Sequence, residues 1–266
     1  MDLGLRGRVA IVGGASKGIG LATATLLAVE GCRVVMAART ADTLERAAQS
    51  VGSLAGGTNA SVMAVTCDMS VAGDIERLVE RAAGTFGGID IVVNNAGGPP
   101  PGRFEQHDDE AWRLAIDTNL MSVVRLVRAA LPYLQRSDQA RVINITSTAV
   151  KEPIDGLILS NAVRLAATGL AKTLSRELGP YGVTVNNVGP GTTMTDRIRP
   201  MIEAQAAAEG RSFDEVLATR ASRIPVGRVG EPDDVAAMIV FLASAQARQV
   251  SGQTVLVDGG ATASVL

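Results

Sequence analysis

The sequence predicts a doubly wound α/β fold: one parallel sheet of seven strands, helices on both faces, one domain over 1–266. Three observations carry this. Short Val/Ile-rich runs alternate with Ala/Leu-rich stretches of helical period. The runs are nearly all apolar, as strands buried on both faces of a parallel sheet must be. The stretches between them hold the dozen or more residues that a crossover between parallel strands needs. The strand runs are Arg8–Gly13, Arg33–Ala38, Ser61–Thr66, Ile89–Val93, Ala140–Thr146, Val183–Val188 and Thr254–Val257. Gly97–Gly102 reads as a loop too short to separate domains. The stretch Thr192–Arg223 interrupts the alternation, with a helical run Ile198–Glu209 and a break at Gly210. Such an insertion in an α/β enzyme covers the carboxyl ends of the strands, so it is expected to act as a substrate lid.

Composition narrows the function classes. The chain has 266 residues, 47% of them hydrophobic, with 25 Lys+Arg against 27 Asp+Glu and a net charge of −2. That apolar fraction excludes disorder. A near-neutral balance without a basic stretch argues against nucleic acid as a partner. No apolar run reaches the ~20 residues of a membrane span, and Met1–Arg6 lacks the apolar stretch of a signal peptide. The expectation is a cytoplasmic protein. Two cysteines, Cys32 and Cys67, make neither a disulfide framework nor a metal spacing, so no metal is expected. Aromatics are only 3%, with two tyrosines, one tryptophan and one histidine. A mechanism that needs a phenol or imidazole must find it among Tyr133, Tyr181 and His107.

The first strand runs into Gly13-Gly14-Ala15-Ser16-Lys17-Gly18-Ile19-Gly20 and then a helix. Gly14, Gly18 and Gly20 make G-x-x-x-G-x-G. Such glycines permit a tight turn, close backbone approach to a phosphate and close packing of helix on strand. The helix start offers N–H groups and a positive dipole end to a pyrophosphate. Residues Gly14, Ser16, Lys17, Gly18, Ile19 and Gly20 are therefore candidates for cofactor binding. Strand two ends in Ala38-Arg39, where an NAD site usually places Asp or Glu for the ribose 2′-OH. Arg39 and Lys17 could both approach a 2′-phosphate, so NADP(H) is favoured over NAD(H). Asp68, at the end of strand three, could accept a hydrogen bond from adenine.

Asn94-Asn95-Ala96-Gly97 after strand four brings a wider resemblance into view. The chain resembles the short-chain dehydrogenase/reductase family, whose Rossmann-type fold would span essentially its whole length. The glycine turn is similar to that family's T-G-x-x-x-G-x-G, with Gly13 where Thr is usual. Asn94–Gly97 matches its N-N-A-G, which adds Asn95, Ala96 and Gly97 to the cofactor candidates. Asn119 matches its helix asparagine, and Ser147, in Ile143-Asn144-Ile145-Thr146-Ser147, its catalytic serine. Asn186–Gly191 resembles N-x-x-x-P-G, and Thr195 the threonine that holds the nicotinamide carboxamide. Pro190, Gly191, Thr193 and Thr195 join the cofactor set on this ground. Within the family, Gly227–Pro232 and Val257–Gly260 most resemble β-ketoacyl-carrier-protein-reductase-like members.

One match fails. The family places Tyr thirteen residues after the catalytic serine and Lys four further on; here those positions are Ser160 and Arg164. The chain resembles a reductase-like subgroup lacking the full catalytic set. In the family, the phenol transfers the hydroxyl proton while the lysine holds the ribose and lowers the phenol's pKa. Asn119 there organises a water chain to the lysine, which Arg164 replaces. A serine hydroxyl is far too basic to replace a phenol tuned from ~10, and arginine stays protonated, though Arg164 could still hydrogen-bond the cofactor ribose and so joins the cofactor-binding candidates. Three readings stand open. An atypical NADP(H)-dependent oxidoreductase could interconvert a carbonyl and a secondary alcohol, 3-oxoacyl-reductase-like. Ser147, Ser160 and Arg164 would stabilise the alkoxide and water would give the proton. The substrate could instead bring an anion that Arg164 clamps. The chain could also bind the cofactor without turnover, as a pseudoenzyme or regulatory subunit.

The remaining residues carry blander expectations. His107 reads as a solvated histidine before a helix that Asp108 or Asp109 caps. Lys151 reads as an exposed loop lysine. The stretches Met121–Leu134 and Leu157–Leu178 show apolar faces beyond the core's needs, and the resemblance implies that they pair subunits into a homotetramer. The small-molecule substrate itself is not named by any motif.

Overall fold

The computed structural model describes residues 1–56 and 61–265. Among them, β1 (Val9–Val12), β2 (Arg33–Ala38), β3 (Val62–Thr66), β4 (Ile91–Asn94), β5 (Arg141–Ile145), β6 (Thr184–Pro190) and β7 (Thr254–Val257) form one sheet. Its order is β3-β2-β1-β4-β5-β6-β7, and every neighbouring pair is parallel. The winding direction reverses between β1 and β4. A crevice therefore opens at the carboxyl ends of those strands, where open α/β sheets bind ligands.

Alternation along each strand divides the core in two. Ala10 and Val12 of β1 point to one face, Ile11 to the other. The first face is covered by α1 (Gly18–Val29), α2 (Ala41–Leu54) and, later in the chain, Pro232–Ala243. The second is covered by α3 (Ala72–Phe86) and two later helices, Ser122–Leu134 and Ile158–Glu177. The first of those later helices follows α4 (Asp109–Ile116), so we label it α5 and the next α6. Helix α1 is apolar nearly all round because it is sandwiched between the sheet and the Pro232–Ala243 helix.

Two expectations need revision here. Strand six does not stop at Val188 but continues through Gly189 to Pro190, which pairs with Val257. A Cβ on Gly189 would lie 2.7 Å from the Leu256 side chain and 3.1 Å from the Ser147 carbonyl oxygen. The glycine is thus a close-approach position, not a strand breaker. The stretch Thr192–Arg223 holds two helices, α7 (Ile198–Glu209) and α8 (Phe213–Ala221). Helix α7 ends at Gly210 with φ +62°. A reciprocal capping box starts α8: Ser212 accepts from the Glu215 N–H and Glu215 accepts from the Ser212 N–H. Ile202, Ala206 and Val216 bury against each other in a small core of their own. The helix Pro232–Ala243 is then α9.

A buried amide ladder crosses the second face of the sheet. Asn94 donates to Asn144 at 2.8 Å, Asn144 to Asn187 at 2.9 Å and Asn187 to the Thr254 hydroxyl at 3.1 Å. These residues are in-register partners on β4, β5, β6 and β7. Removing a middle rung leaves a buried donor and a buried acceptor unmatched. Asn144→Ala is therefore expected to lose about 2–4 kcal/mol of stability in denaturant unfolding. A loss below about 1 kcal/mol would mean that the ladder is replaceable by water.

Candidate active site

The glycine turn sits at the β1 end of the crevice. The Gly13 N–H donates to the Val93 carbonyl at 3.0 Å and the Ala15 N–H to the Ala37 carbonyl at 3.0 Å, tying the turn to β4 and β2. Gly14 and Gly18 both have φ +56°, which L side chains disfavour. A Cβ on Gly20 would lie 2.2 Å from the Gly14 carbonyl oxygen. The Asn95 side chain donates to the Gly13 carbonyl at 3.1 Å and so locks the turn to the loop after β4. Lys17, at the α1 N-cap, gives no side-chain cap, and the first turn has no acidic residue. The helix start is left for an anion, as a pyrophosphate site requires. Ser16 and Ile19 are half-buried beside it, and Lys17 is exposed.

Arg39 and Asp68 follow the carboxyl ends of the neighbouring strands β2 and β3. Burial pushes the Asp68 carboxyl up, but the Ser70 N–H and hydroxyl, at 2.9 and 2.8 Å, outweigh it, and Arg39's charge adds to them. The net effect holds Asp68 below its ordinary value, hence ionised at neutral pH. Both hydrogen bonds go to Oδ1. Arg39 is exposed and stays available to a ligand.

The four residues matched to the catalytic set come from three elements. Asn119 lies in a π-helical turn, Asp117–Met121, between α4 and α5. It is buried and donates to the Ala115 carbonyl at 3.3 Å. Arg125 pins the turn by donating to Asp117 and to the Ser70 carbonyl, each at 2.7 Å. Such π turns are frequent at functional sites. Nothing in the local sequence announced this one. Ser147 follows β5 and caps the 3₁₀ turn Thr148–Val150, accepting from the Ala149 N–H at 3.1 Å. Ser160 is buried on α6. Arg164, one turn later on that helix, donates through Nη1 to the Ile145 and Thr146 carbonyls at 2.9 and 3.0 Å. Its guanidinium is thereby fixed at the end of β5, just before Ser147. Burial, with the like charge of Arg197, pushes its pKa down to about 10, so it remains cationic at neutral pH.

The segment after β6 closes the other side. The Gly191 N–H bonds the Val257 carbonyl at 3.0 Å, and a Cβ there would meet Asp258 at 2.7 Å. Thr193 is buried and donates to the Gly191 carbonyl at 3.2 Å. The Thr195 methyl faces Gly18, where a Cβ would lie 3.4 Å from it. The chain therefore crosses from β6 over the glycine turn. Arg197, two residues on, donates to the Pro99 carbonyl at 3.0 Å, and its Nη1 lies against Gly98. Sequence reading missed this arginine.

Neither tyrosine reaches this edge. Tyr133 is near the end of α5, which returns toward the start of β5, and Tyr181 is in the 3₁₀ turn just before β6. Both lie toward the amino ends of the strands. His107 is not the solvated residue expected: it is half-buried, packed against Gly102, with a buried Nε2. Asp108 caps α4 through the Ala111 N–H at 2.9 Å. Lys151 is exposed. Cys32 and Cys67 are buried free thiols whose pKa burial pushes up to about 12. No helix among the described residues is long and apolar enough to cross a membrane.

Comparison with known proteins agrees with this geometry. A family model described as enoyl-(acyl carrier protein) reductase matches residues 14–262. The 3-oxoacyl-[acyl-carrier-protein] reductase FabG of Vibrio cholerae is 34% identical over 258 residues, covering 97% of this chain and 98% of that one. The L-sorbose reductase of Gluconobacter frateurii, solved with NADPH and L-sorbose, superposes with a TM-score of 0.95 at 30% identity over 100% of both chains. An NADPH-bound short-chain oxidoreductase of Pseudomonas aeruginosa, described as containing an atypical catalytic center, gives 0.88 at 32% identity over 96% and 97%. With its fold, motifs and relatives in agreement from end to end, this chain belongs to the short-chain dehydrogenase/reductase family.

Proposed function

We propose that the protein is an NADP(H)-dependent oxidoreductase interconverting a small-molecule carbonyl and a secondary alcohol. The observation that carries this reading is the cradle at the β1–β4 crevice. Gly14 and Gly20 admit no Cβ against Asn95 and the Gly14 carbonyl, so the turn closes tightly and leaves its backbone and the α1 start for a pyrophosphate, and the exposed Lys17 and Arg39 follow β1 and β2. Gly14, Ser16, Gly18, Ile19 and Gly20 would hold the pyrophosphate, with Asn95, Ala96 and Gly97 beside them. Arg39 and Lys17 would meet the 2′-phosphate, and Asp68 the adenine. Pro190, Gly191, Thr193 and Thr195 would meet the nicotinamide end. When bound, the cofactor supplies a hydride at its nicotinamide ring. Arg39→Glu is expected to weaken NADPH binding by tenfold or more while leaving NADH binding nearly unchanged, read by fluorescence titration.

The residues of this chain would then act on the carbonyl oxygen. Ser147 and Ser160 donate hydroxyl hydrogen bonds, and Arg164 adds positive charge at the end of β5, so a developing alkoxide is stabilised as in an oxyanion hole. Asn119 lies in the π turn, but the position of the family's lysine holds Arg164, which cannot pass a proton on. Water supplies the proton. Loss of a general acid costs ~10²–10⁴-fold, which leaves slow turnover. An NADPH-oxidation assay across a ketone panel tests the reading. Tight NADPH binding without turnover would favour the non-catalytic alternative.

The segment Thr192–Arg223 would serve as the substrate lid, since it carries Thr195 and Arg197 over the crevice and packs on its own small core. We also propose a homotetramer, paired through α5 and α6. Most apolar residues of α5 pack into the core, while Val124, Leu131 and Tyr133 stay half-exposed. Leu165 on α6 is exposed, as are Leu114 and Ile116 at the end of α4, before α5 in the chain order. Light scattering should give about four times 27.4 kDa. A monomer mass would overturn the assembly.

A further inference from the structure

Arg164 and Arg197 come from different segments and converge on one end of the sheet. Arg164 is tied to the end of β5 through the Ile145 and Thr146 carbonyls. Arg197 is tied to the loop after β4, the neighbouring strand, through the Pro99 carbonyl. Gly98 makes room for it, because a Cβ there would collide with its Nη1. Among the described residues neither arginine forms an ion pair, whereas Arg8, Arg125, Arg211 and Arg228 each pair with a carboxylate. Arg197 is near enough for its like charge to add to burial in lowering the pKa of Arg164. Both cations are held by uncharged backbone oxygens, and only one guanidinium nitrogen of each is engaged by a hydrogen bond. Two forked donor groups with free N–H groups and no counter-charge are suited to an oxyanion.

We propose that Arg164 and Arg197 together recognise an anionic group, a carboxylate or phosphate, carried by the substrate near its reacting carbonyl. The proposal rests on the reductase reading given above. The anion replaces the missing counter-charge and seats the carbonyl toward Ser147 and Ser160. It also explains why an arginine, useless as a proton carrier, stands beside the serines. A neutral ketone would leave both cations uncompensated.

The test is equilibrium binding by calorimetry to the full chain saturated with NADPH. Alcohol probes cannot react with the reduced cofactor, so absence of turnover does not affect the result. The probes are 3-hydroxybutanoate against 3-hydroxybutanamide, and glycerol 3-phosphate against glycerol. The expected result is that at least one anion binds about tenfold or more tighter than its neutral partner. Which pair shows the preference separates carboxylate from phosphate. Arg197→Gln, an exposed position, and Arg164→Gln should each bring that anion to the level of its neutral partner. Equal binding within both pairs, or no measurable binding of either anion, overturns the proposal. An unchanged preference in Arg197→Gln with NADPH binding weakened tenfold also overturns it, because the arginine would then serve the cofactor's phosphates. A preference for the anion in a protein that never turns over would uphold the site while defeating the reductase reading.

Discussion

Changing Ser160 to tyrosine and Arg164 to lysine together is expected to raise ketone reduction by about 10²–10⁴-fold, the usual contribution of a positioned general acid. The two positions lie one turn apart on α6, so their side chains share a face. Ser160 is 9% exposed. A phenol there has an acidity that can be tuned toward neutral pH, which a serine hydroxyl does not have. The substitutions act as a unit. Tyrosine beside Arg164 keeps a fixed cation but gains no ammonium able to pass a proton on, and lysine beside Ser160 has no phenol to tune. Each single change should therefore give much less than the pair. Arg164→Lys also gives up the hydrogen bonds to the Ile145 and Thr146 carbonyls, at about 1 kcal/mol of stability. The readout is kcat/KM for NADPH-dependent reduction of a ketone. A folded double variant that binds NADPH and gains nothing would show that the missing pair does not limit the chemistry.

Gly20→Val is expected to abolish NADPH binding, with at least a hundredfold loss in affinity. The added Cβ alone would stand 2.2 Å from the Gly14 carbonyl and 2.8 Å from the Asn95 amide nitrogen. Both neighbours are fixed, Gly14 at φ +56° and Asn95 by its bond to Gly13. The start of α1 must therefore move off the turn, which removes the helix N-terminus from the phosphate position. A thermal melt should also shift down by several degrees. Gly52→Ala supplies the contrast. It lies within α2, and a Cβ there meets nothing within 4 Å. That change should leave cofactor binding alone and add about 0.4–1 kcal/mol of stability. Equal effects from the two substitutions would contradict the cradle.

Much of this structure was legible in the chain because its signals are local. Each strand is a short apolar run, and each turn that needs a positive φ, as at Gly14 and Gly18, carries glycine. The cofactor cradle follows from them, since it is built from one strand, one turn and one helix start. Misreadings arose where a residue type has two uses. Gly189 and Pro190 ended the expected strand six, yet Gly189 is small because Ser147 passes close by. Helix α8 was signalled by Ser212 and Glu215 but lay in a stretch read only as a covering loop with one helix. What depends on distant contacts was not legible. Arg197 reaches Pro99, 98 residues away in the chain. The amide ladder needs the register of four strands, and the π turn at Asn119 depends on Arg125 bridging Asp117 and Ser70. The absence of a phenol at position 160 was plain in the sequence, and the structure adds that Tyr133 and Tyr181 sit toward the other edge of the sheet.

The most direct test of the central claim, carbonyl reduction without the family's tyrosine, is isotope transfer. Protein is incubated with a ketone panel, including keto acids, and NADPH carrying deuterium at the nicotinamide C4 position that is transferred. The alcohol product is then examined by mass spectrometry. The expected result is slow formation of a secondary alcohol with one deuterium on its carbinol carbon, abolished by Gly20→Val. Saturable NADPH binding with no deuterated alcohol above the protein-free control would contradict the claim.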